Sequence, residues 1–102
     1  MERVDQIRLM LMEEPLDPFL HYALGLELTK KENYQEAIAS FQQVLQLDES
    51  YIAAYYQIAI IFIHIDIVDV AKTYIEKGIH QAEVKRDMKA KGELAELLEG
   101  IE

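Results

Sequence analysis

The chain has 102 residues, 51% of them hydrophobic, which is enough for one small domain with a packed core. It contains no cysteine. Disulfides, thiolate metal sites and cysteine nucleophiles are therefore excluded, and a reducing, cytoplasmic setting is expected. The formal net charge of −9 would repel phosphate backbones, so nucleic acid is not an expected partner.

Helical periodicity predicts a first helix over roughly residues 2–13. This helix ends where the only two prolines of the chain, Pro15 and Pro18, interrupt the pattern. A second helix follows at once, because Asp17 is a good N-cap and Pro18 suits the first helical position. The start of the chain therefore predicts two helices joined by a short connection.

Four more helices are predicted downstream. Asn33, followed three residues later by Glu36, gives a capping-box-like start to the third helix. The fourth is expected from about 51–64, and the fifth starts near Asp66, which we interpret as its N-cap. The sixth is capped by Asp87 and carries an apolar stripe at helical spacing.

The stretch IIFIHIDIV, residues 60–68, alternates apolar and polar residues from Phe62 to Ile67, which locally is typical of a β-strand. No other segment offers it a strand partner. Residues 50–65 carry no Asp, Glu, Lys or Arg, yet this run is too short to span a bilayer comfortably. We therefore predict a helix end followed by a turn, with no membrane insertion.

An internal repeat supports the helical interpretation, because a shift of 34 residues superposes two helix–turn–helix segments. The first copy reads His21-x2-Leu24-Gly25-x2-Leu28…Ala37-x3-Phe41. The second copy reads Tyr55-x2-Ile58-Ala59-x2-Phe62…Ala71-x3-Ile75. This pattern resembles the tetratricopeptide repeat, W-x2-L-G-x2-Y…A-x3-F…P. Two departures are that neither copy has Trp and that Glu49 and Glu83 occupy the proline place.

The resemblance is closest to small stand-alone bacterial proteins of this family. It implies an all-α, right-handed superhelical repeat fold with about six antiparallel helices. The expected organisation is a single domain, with an N-terminal helix in 1–16, repeats in 18–51 and 52–85, and a C-terminal capping helix in 86–102. In this arrangement Gly25 would lie at a close contact between paired helices.

The resemblance also implies a non-enzymatic scaffold that binds a peptide or helix on its concave face, which the first helix of each repeat lines. The candidate binding residues are Phe19, Tyr22, Leu26, Thr29, Lys30, Ala53, Tyr56, Ile60, Ile63 and His64. Some family members clamp a C-terminal carboxylate with polar residues on this face. Here the corresponding places hold Tyr22, Leu26, Tyr56 and Ile60, which predicts an apolar groove instead.

Two alternatives to a foreign partner remain open on the sequence alone. The terminal helix could cover much of the apolar face internally. A second copy of the chain could also satisfy the groove or the isoleucine-rich edge, which would give a homodimer.

Other chemistry is not expected. His64 and Asp66 flank a turn without a third ligand or a nucleophile, so neither a metal site nor a catalytic site is predicted there. His21 is interpreted as an aromatic core residue and His80 as an outward one. No cofactor motif is present. One basic cluster is interpreted as a solvated helix junction rather than a phosphate site: Lys85, Arg86, Lys89 and Lys91.

Overall fold

The computed structural model describes all residues from 1 to 102 and contains six helices and no strand. The helices are α1 (Arg3–Glu13), α2 (Pro18–Lys30), α3 (Tyr34–Leu47), α4 (Ile52–His64), α5 (Val68–Lys85) and α6 (Met88–Ile101). This confirms the all-α prediction. The strand-like stretch is the end of α4, a turn and the start of α5, so its local alternation does not decide its structure.

Helices α1 to α3 form one compact unit, Met1–Asp48, hereafter unit 1. Its buried core includes Ile7 of α1, Leu24 of α2 and Phe41 of α3. Gly25 lies so near Phe41 that a Cβ at this glycine would stand 2.5 Å from the Cε1 of that ring. The close helix contact expected at Gly25 is therefore present, and it explains why a poor helix former occupies the middle of α2.

Helices α4 to α6 form the other compact unit, Glu49–Glu102, hereafter unit 2. One core cluster contains Ala59 of α4, Ala71 and Ile75 of α5, and Leu94 of α6. Gly78 of α5 marks the close approach here, because a Cβ on it would lie 2.9 Å from the Cβ of Tyr55 and 3.0 Å from Leu94 Cδ1. The last helix is thus an integral part of this core. Organisation of both units into a single repeat domain stays a prediction.

The turns after α2, α4 and α5 share one backbone geometry. Each has a residue with positive φ: Glu32 at 59°, Asp66 at 64° and Arg86 at 58°. In each turn the amide after this residue donates to a carbonyl five residues back, as Ile67 N does to Phe62 O over 2.8 Å. These are the bonds of a Schellman motif, in which the left-handed residue ends the helix.

The predicted role of Asp66 as an N-cap is therefore wrong. Asp66 ends α4 in the left-handed conformation, and Ile67 is the residue that precedes α5. Two bonds, from the Asp66 amide to Ile63 O and from the Ile67 amide to Phe62 O, close the turn through the backbone. The start of α5 consequently has no side-chain cap.

The remaining cap predictions have mixed outcomes. The carboxylate of Asp17 accepts from the amide of Phe19 at 2.9 Å, and that of Asp87 accepts from Ala90 at 3.0 Å, so both caps are confirmed. Asn33 occupies the N-cap position of α3, but its side chain makes no capping bond. Glu36, the expected capping-box partner, instead pairs with Arg8 of α1 at 3.0 Å.

Both copies of the repeat replace the missing Trp by a side chain that donates a hydrogen bond backwards. His21 Nε2 donates to the carbonyl of Pro15 over 2.7 Å. The hydroxyl of Tyr55, which lies 34 residues further on, donates to the carbonyl of Glu49 over 2.6 Å. His21 is half-buried and makes this polar contact, so it is not the aromatic core residue that was predicted. Each bond links the first helix of a copy to the backbone of the segment that precedes this helix.

Candidate protein-binding surfaces

Five of the predicted binding residues lie on α2 in unit 1, and they differ in their exposure and in the contacts that they make. Phe19 is 62% exposed, in the first turn of the helix. Tyr22 is half-buried, and its ring centroid lies 5.6 Å from that of Phe41. Thr29 donates to the Gly25 carbonyl over 2.7 Å, while the exposed Lys30 pairs with Glu27 at 3.0 Å. Leu26 is half-buried.

Phe19 is accordingly the largest free apolar group on this part of α2. It contributes nothing to the buried core of unit 1. A partner has access to the exposed 62% of this residue. Phe19 therefore exposes a larger share of its surface than the half-buried Tyr22.

The other five predicted residues lie on α4 in unit 2. Ala53, Ile60 and His64 are exposed, whereas Tyr56 and Ile63 are half-buried. Tyr56 and Ile63 pack against the core cluster that includes Leu94 of α6. Part of the α4 face is thus covered within unit 2 by a cluster to which the C-terminal helix contributes Leu94. The exposed remainder of this face is smaller than the sequence pattern suggested.

A cleft remains open between α4 and α6. It has a volume of about 350 Å³, which lies within the range of about 300–1,000 Å³ that is usual for ligand pockets. The residues that line it are Ile52, Ala53, Tyr56 and Gln57 of α4, the α6 N-cap Asp87, and Ala90, Glu93 and Leu94 of α6.

Of the residues that line this cleft, only Ala53 and Tyr56 were predicted from the sequence as binding residues. Residues 87, 90, 93 and 94 do share one helical face. That spacing could have identified the face, but no feature of the sequence indicates which helix it meets.

A second apolar surface lies at the turn between α4 and α5, which we call the isoleucine tip. Ile65 is 38% exposed, Ile67 is 43% exposed and Val70 is 36% exposed. The corresponding positions of the first repeat, 34 residues earlier, hold Lys31, Asn33 and Glu36. The tip is therefore a feature of unit 2 alone.

The structure brings together no group that is suited to metal chemistry. No cluster of three or more His, Cys, Asp or Glu side chains has the arrangement to hold a metal ion. His64 and Asp66 are both exposed beside the turn, and His80 is exposed on α5. None of the six helices combines the length and apolar character needed to cross a membrane.

The comparison with known proteins rests on the sequence and on the arrangement of helices. The tetratricopeptide repeat profile matches residues 18–51, the first predicted repeat. The solution NMR structure of a tetratricopeptide repeat domain protein from Salinibacter ruber is 30% identical, with a TM-score of 0.80 over 84% of this chain and 87% of that chain. The chain belongs to the tetratricopeptide repeat family.

A crystal structure of the tetratricopeptide repeat domain protein from Salinibacter ruber agrees with this assignment. It is 29% identical, with a TM-score of 0.77, and the match covers 83% of this chain and 96% of that one. No curated protein matches the chain. Tetratricopeptide repeats generally mediate contacts between proteins.

Proposed function

We propose that this tetratricopeptide repeat protein is a non-enzymatic interaction module that holds a peptide or a helix of a partner protein, in unit 1 against the exposed face of α2 and in unit 2 against the exposed face of α4. The observation that carries the proposal is the exposure of Phe19, 62%, on the α2 face. Full burial of a Phe side chain is worth about 1.5–3 kcal/mol, and the isolated chain realises only the smaller part of this gain because the residue stays 62% exposed. Ile60, 36% exposed, offers a second apolar contact on α4.

Site-specific photocrosslinking tests this proposal. A benzoylphenylalanine would replace Phe19 in one variant and Ile60 in another, and each variant would be irradiated in native cell extract. Both variants should form crosslinks to a partner polypeptide, because the probe replaces a residue inside the contact. The matched control carries the same probe at Val84, which is 66% exposed on α5 and lies outside both faces.

Crosslinks of equal yield at Val84 would contradict the proposal, since they would indicate unspecific encounters. Crosslinks only between copies of this chain would favour the second candidate function, which is self-association. The specific observation in its favour is the isoleucine tip, where Ile65, Ile67 and Val70 lie exposed together. Light scattering of the purified protein separates the two, because only self-association raises the mass in the absence of a partner.

A further inference from the structure

The cleft between α4 and α6 combines an apolar lining with a charge of one sign. Ile52 and Ala53 of α4 face Ala90 and Leu94 of α6 across it. Leu94 is buried and belongs to the core of unit 2. The apolar part of the cleft is thus supported by the packed core, so a side chain that enters it would meet a fixed surface.

The lining contains two carboxylates, Asp87 and Glu93, and no Lys, Arg or His. Glu93 makes no hydrogen bond or ion pair within the protein. Asp87 accepts one bond, from the Ala90 amide at 3.0 Å. The nearby Lys91 does not line the cleft, and its ammonium pairs with Glu83 at 2.9 Å. The negative charge of the cleft is therefore not neutralised from within.

Tyr56 adds a third feature that points to the same ligand. It lines the cleft, is half-buried, and its hydroxyl has no hydrogen-bond partner in the protein. A tyrosine ring offers a π-face to a cation, and its hydroxyl can accept a hydrogen bond from an ammonium or guanidinium group.

We infer that this cleft receives a lysine or arginine side chain from the partner segment, an inference that rests on the proposed function. The aliphatic stem would lie along Ile52 and Leu94, while the charged end meets Asp87, Glu93 and Tyr56. Long basic side chains commonly divide themselves in this way between apolar and polar surroundings. The partner segment accordingly carries a basic residue whose aliphatic stem makes the apolar contact and whose charged end reaches the carboxylates.

Other occupants fit the cleft less well. An acidic side chain would be repelled by both carboxylates. A wholly apolar side chain would remove water from Asp87 and Glu93 without replacing the lost hydrogen bonds, which is unfavourable. The formal net charge of −9 acts in the same direction, since it steers basic segments toward the chain.

NMR titration with three synthetic peptides tests the inference. The peptides share the sequence Ac-Ala-Leu-X-Leu-Ala-NH2 and carry Lys, Gln or Glu at X. Amide shifts of Gln57 and Ala90 report on the cleft. The Lys peptide should bind about three- to tenfold more tightly than the Gln peptide, as expected for partly exposed ion pairs. The Glu peptide should bind most weakly, and 1 M NaCl should remove most of the difference.

The variants Glu93→Gln and Asp87→Asn identify the carboxylates responsible. Both substitutions keep the side-chain shape, and Asn can still cap α6. Each should reduce the preference for the Lys peptide by about two- to threefold. The matched control is Glu96→Gln, which removes the same charge from an exposed position of α6 outside the cleft. It should leave the preference unchanged.

Equal binding of the Lys and Gln peptides, or an equal effect of Glu96→Gln and Glu93→Gln, would overturn the inference. Peptide binding itself would then survive, and so would the proposed function. Absence of shifts at Gln57 and Ala90 with every peptide would also overturn it. In that case the crosslinks at Phe19 and Ile60 still decide independently whether the chain binds a protein.

Discussion

The hairpins α2–α3 and α4–α5 end their first helices with the same backbone geometry but carry opposite side chains there. Glu32 and Asp66 both adopt positive φ, and the same two amide–carbonyl bonds close each turn. The first turn lies within LELTKKENY and the second within IIFIHIDIV. Because polar residues close the turn equally well, the isoleucines of the second turn are not needed for this geometry. These isoleucines are therefore available for a contact with another polypeptide.

The backward hydrogen bonds of the two copies lead to the same conclusion. His21 and Tyr55 differ in chemistry, as do Pro15 and Glu49, yet each pair places one donor against one backbone carbonyl. The backbone carbonyl of a residue can accept a hydrogen bond whatever side chain that residue carries. The repeat therefore tolerates the loss of both Trp and Pro from its pattern, provided that a donor of suitable length remains at the first position.

The largest expected effect comes from the close contact within the first hairpin. Gly25→Leu should lower the free energy of unfolding by about 2–3 kcal/mol through overpacking against Phe41, although Leu is the better helix former. Thermal or urea denaturation measures this change. The control is Gly92→Leu, since a Cβ at Gly92 meets nothing within 4 Å. Equal stability of both variants would show that α2 and α3 separate at little cost.

A pair exchange sharpens the same comparison. The second copy holds Ala59 and Ile75 where the first holds Gly25 and Phe41, so a larger first residue accompanies a smaller second one. Gly25→Ala and Phe41→Ile should each destabilise unit 1. Together they should lose less than the sum, with a coupling of about 0.5–3 kcal/mol. Strict additivity in the denaturation cycle would argue against this compensation of volumes.

Much of the fold could be predicted because the helical period and the 34-residue repeat act over many residues at once. The fourth helix was expected over about 51–64 and extends over Ile52–His64. Asp66 was misassigned because an Asp before an apolar run looks like an N-cap. The competing backbone closure of the turn has no residue signature when Glu or Asp replaces the glycine that is usual in a left-handed position.

The candidate site was less predictable, since it depends on contacts between helices that are distant in the sequence. Helical spacing placed Tyr56 and Ile63 on one face of α4. It could not indicate that this face meets the cluster around Leu94 of α6. Glu93 and Gln57 likewise carry no sequence signal that would bring them together in the cleft. Local patterns define the faces of helices, whereas packing decides which faces remain open.

The backward bonds give the next effect in size. Tyr55→Phe should cost about 0.5–1.5 kcal/mol, because the Glu49 carbonyl loses its donor while the ring stays packed. His21→Phe should have a similar or smaller effect, since His21 is less buried and water can reach its surroundings. Tyr56→Phe is the control, as its hydroxyl makes no bond within the protein. A loss as large for Tyr56→Phe as for Tyr55→Phe would contradict the proposed role of the bond.

Glycine at the left-handed positions should stabilise the protein. Relief of backbone strain is worth about 1–2 kcal/mol at such a position, and the greater freedom of glycine in the unfolded chain offsets about 0.4–1 kcal/mol of it. Glu32→Gly should therefore gain more than Asp66→Gly, because Asp tolerates this conformation better than Glu. Denaturation midpoints measure both. A loss of stability in either variant would mean that its carboxylate has a role beyond the turn.

The smallest effect on stability, and the most informative for function, is expected when the turn of the first hairpin is copied into the second. The double substitution Ile65→Lys/Ile67→Asn gives the isoleucine tip the residues found at Lys31 and Asn33. The free energy of unfolding should change by no more than about 0.5 kcal/mol per site, because both side chains are exposed and backbone bonds hold the turn.

If the tip mediates self-association, light scattering of the variant should give a monomer mass where the parent gives a larger one. Val84→Lys with Met88→Asn is the matched control, since both residues are 66% exposed and lie away from the tip. A parent that is already monomeric would remove the tip from consideration as a dimer contact, and an unfolded variant would show that the two hairpins do not close their turns by the backbone alone.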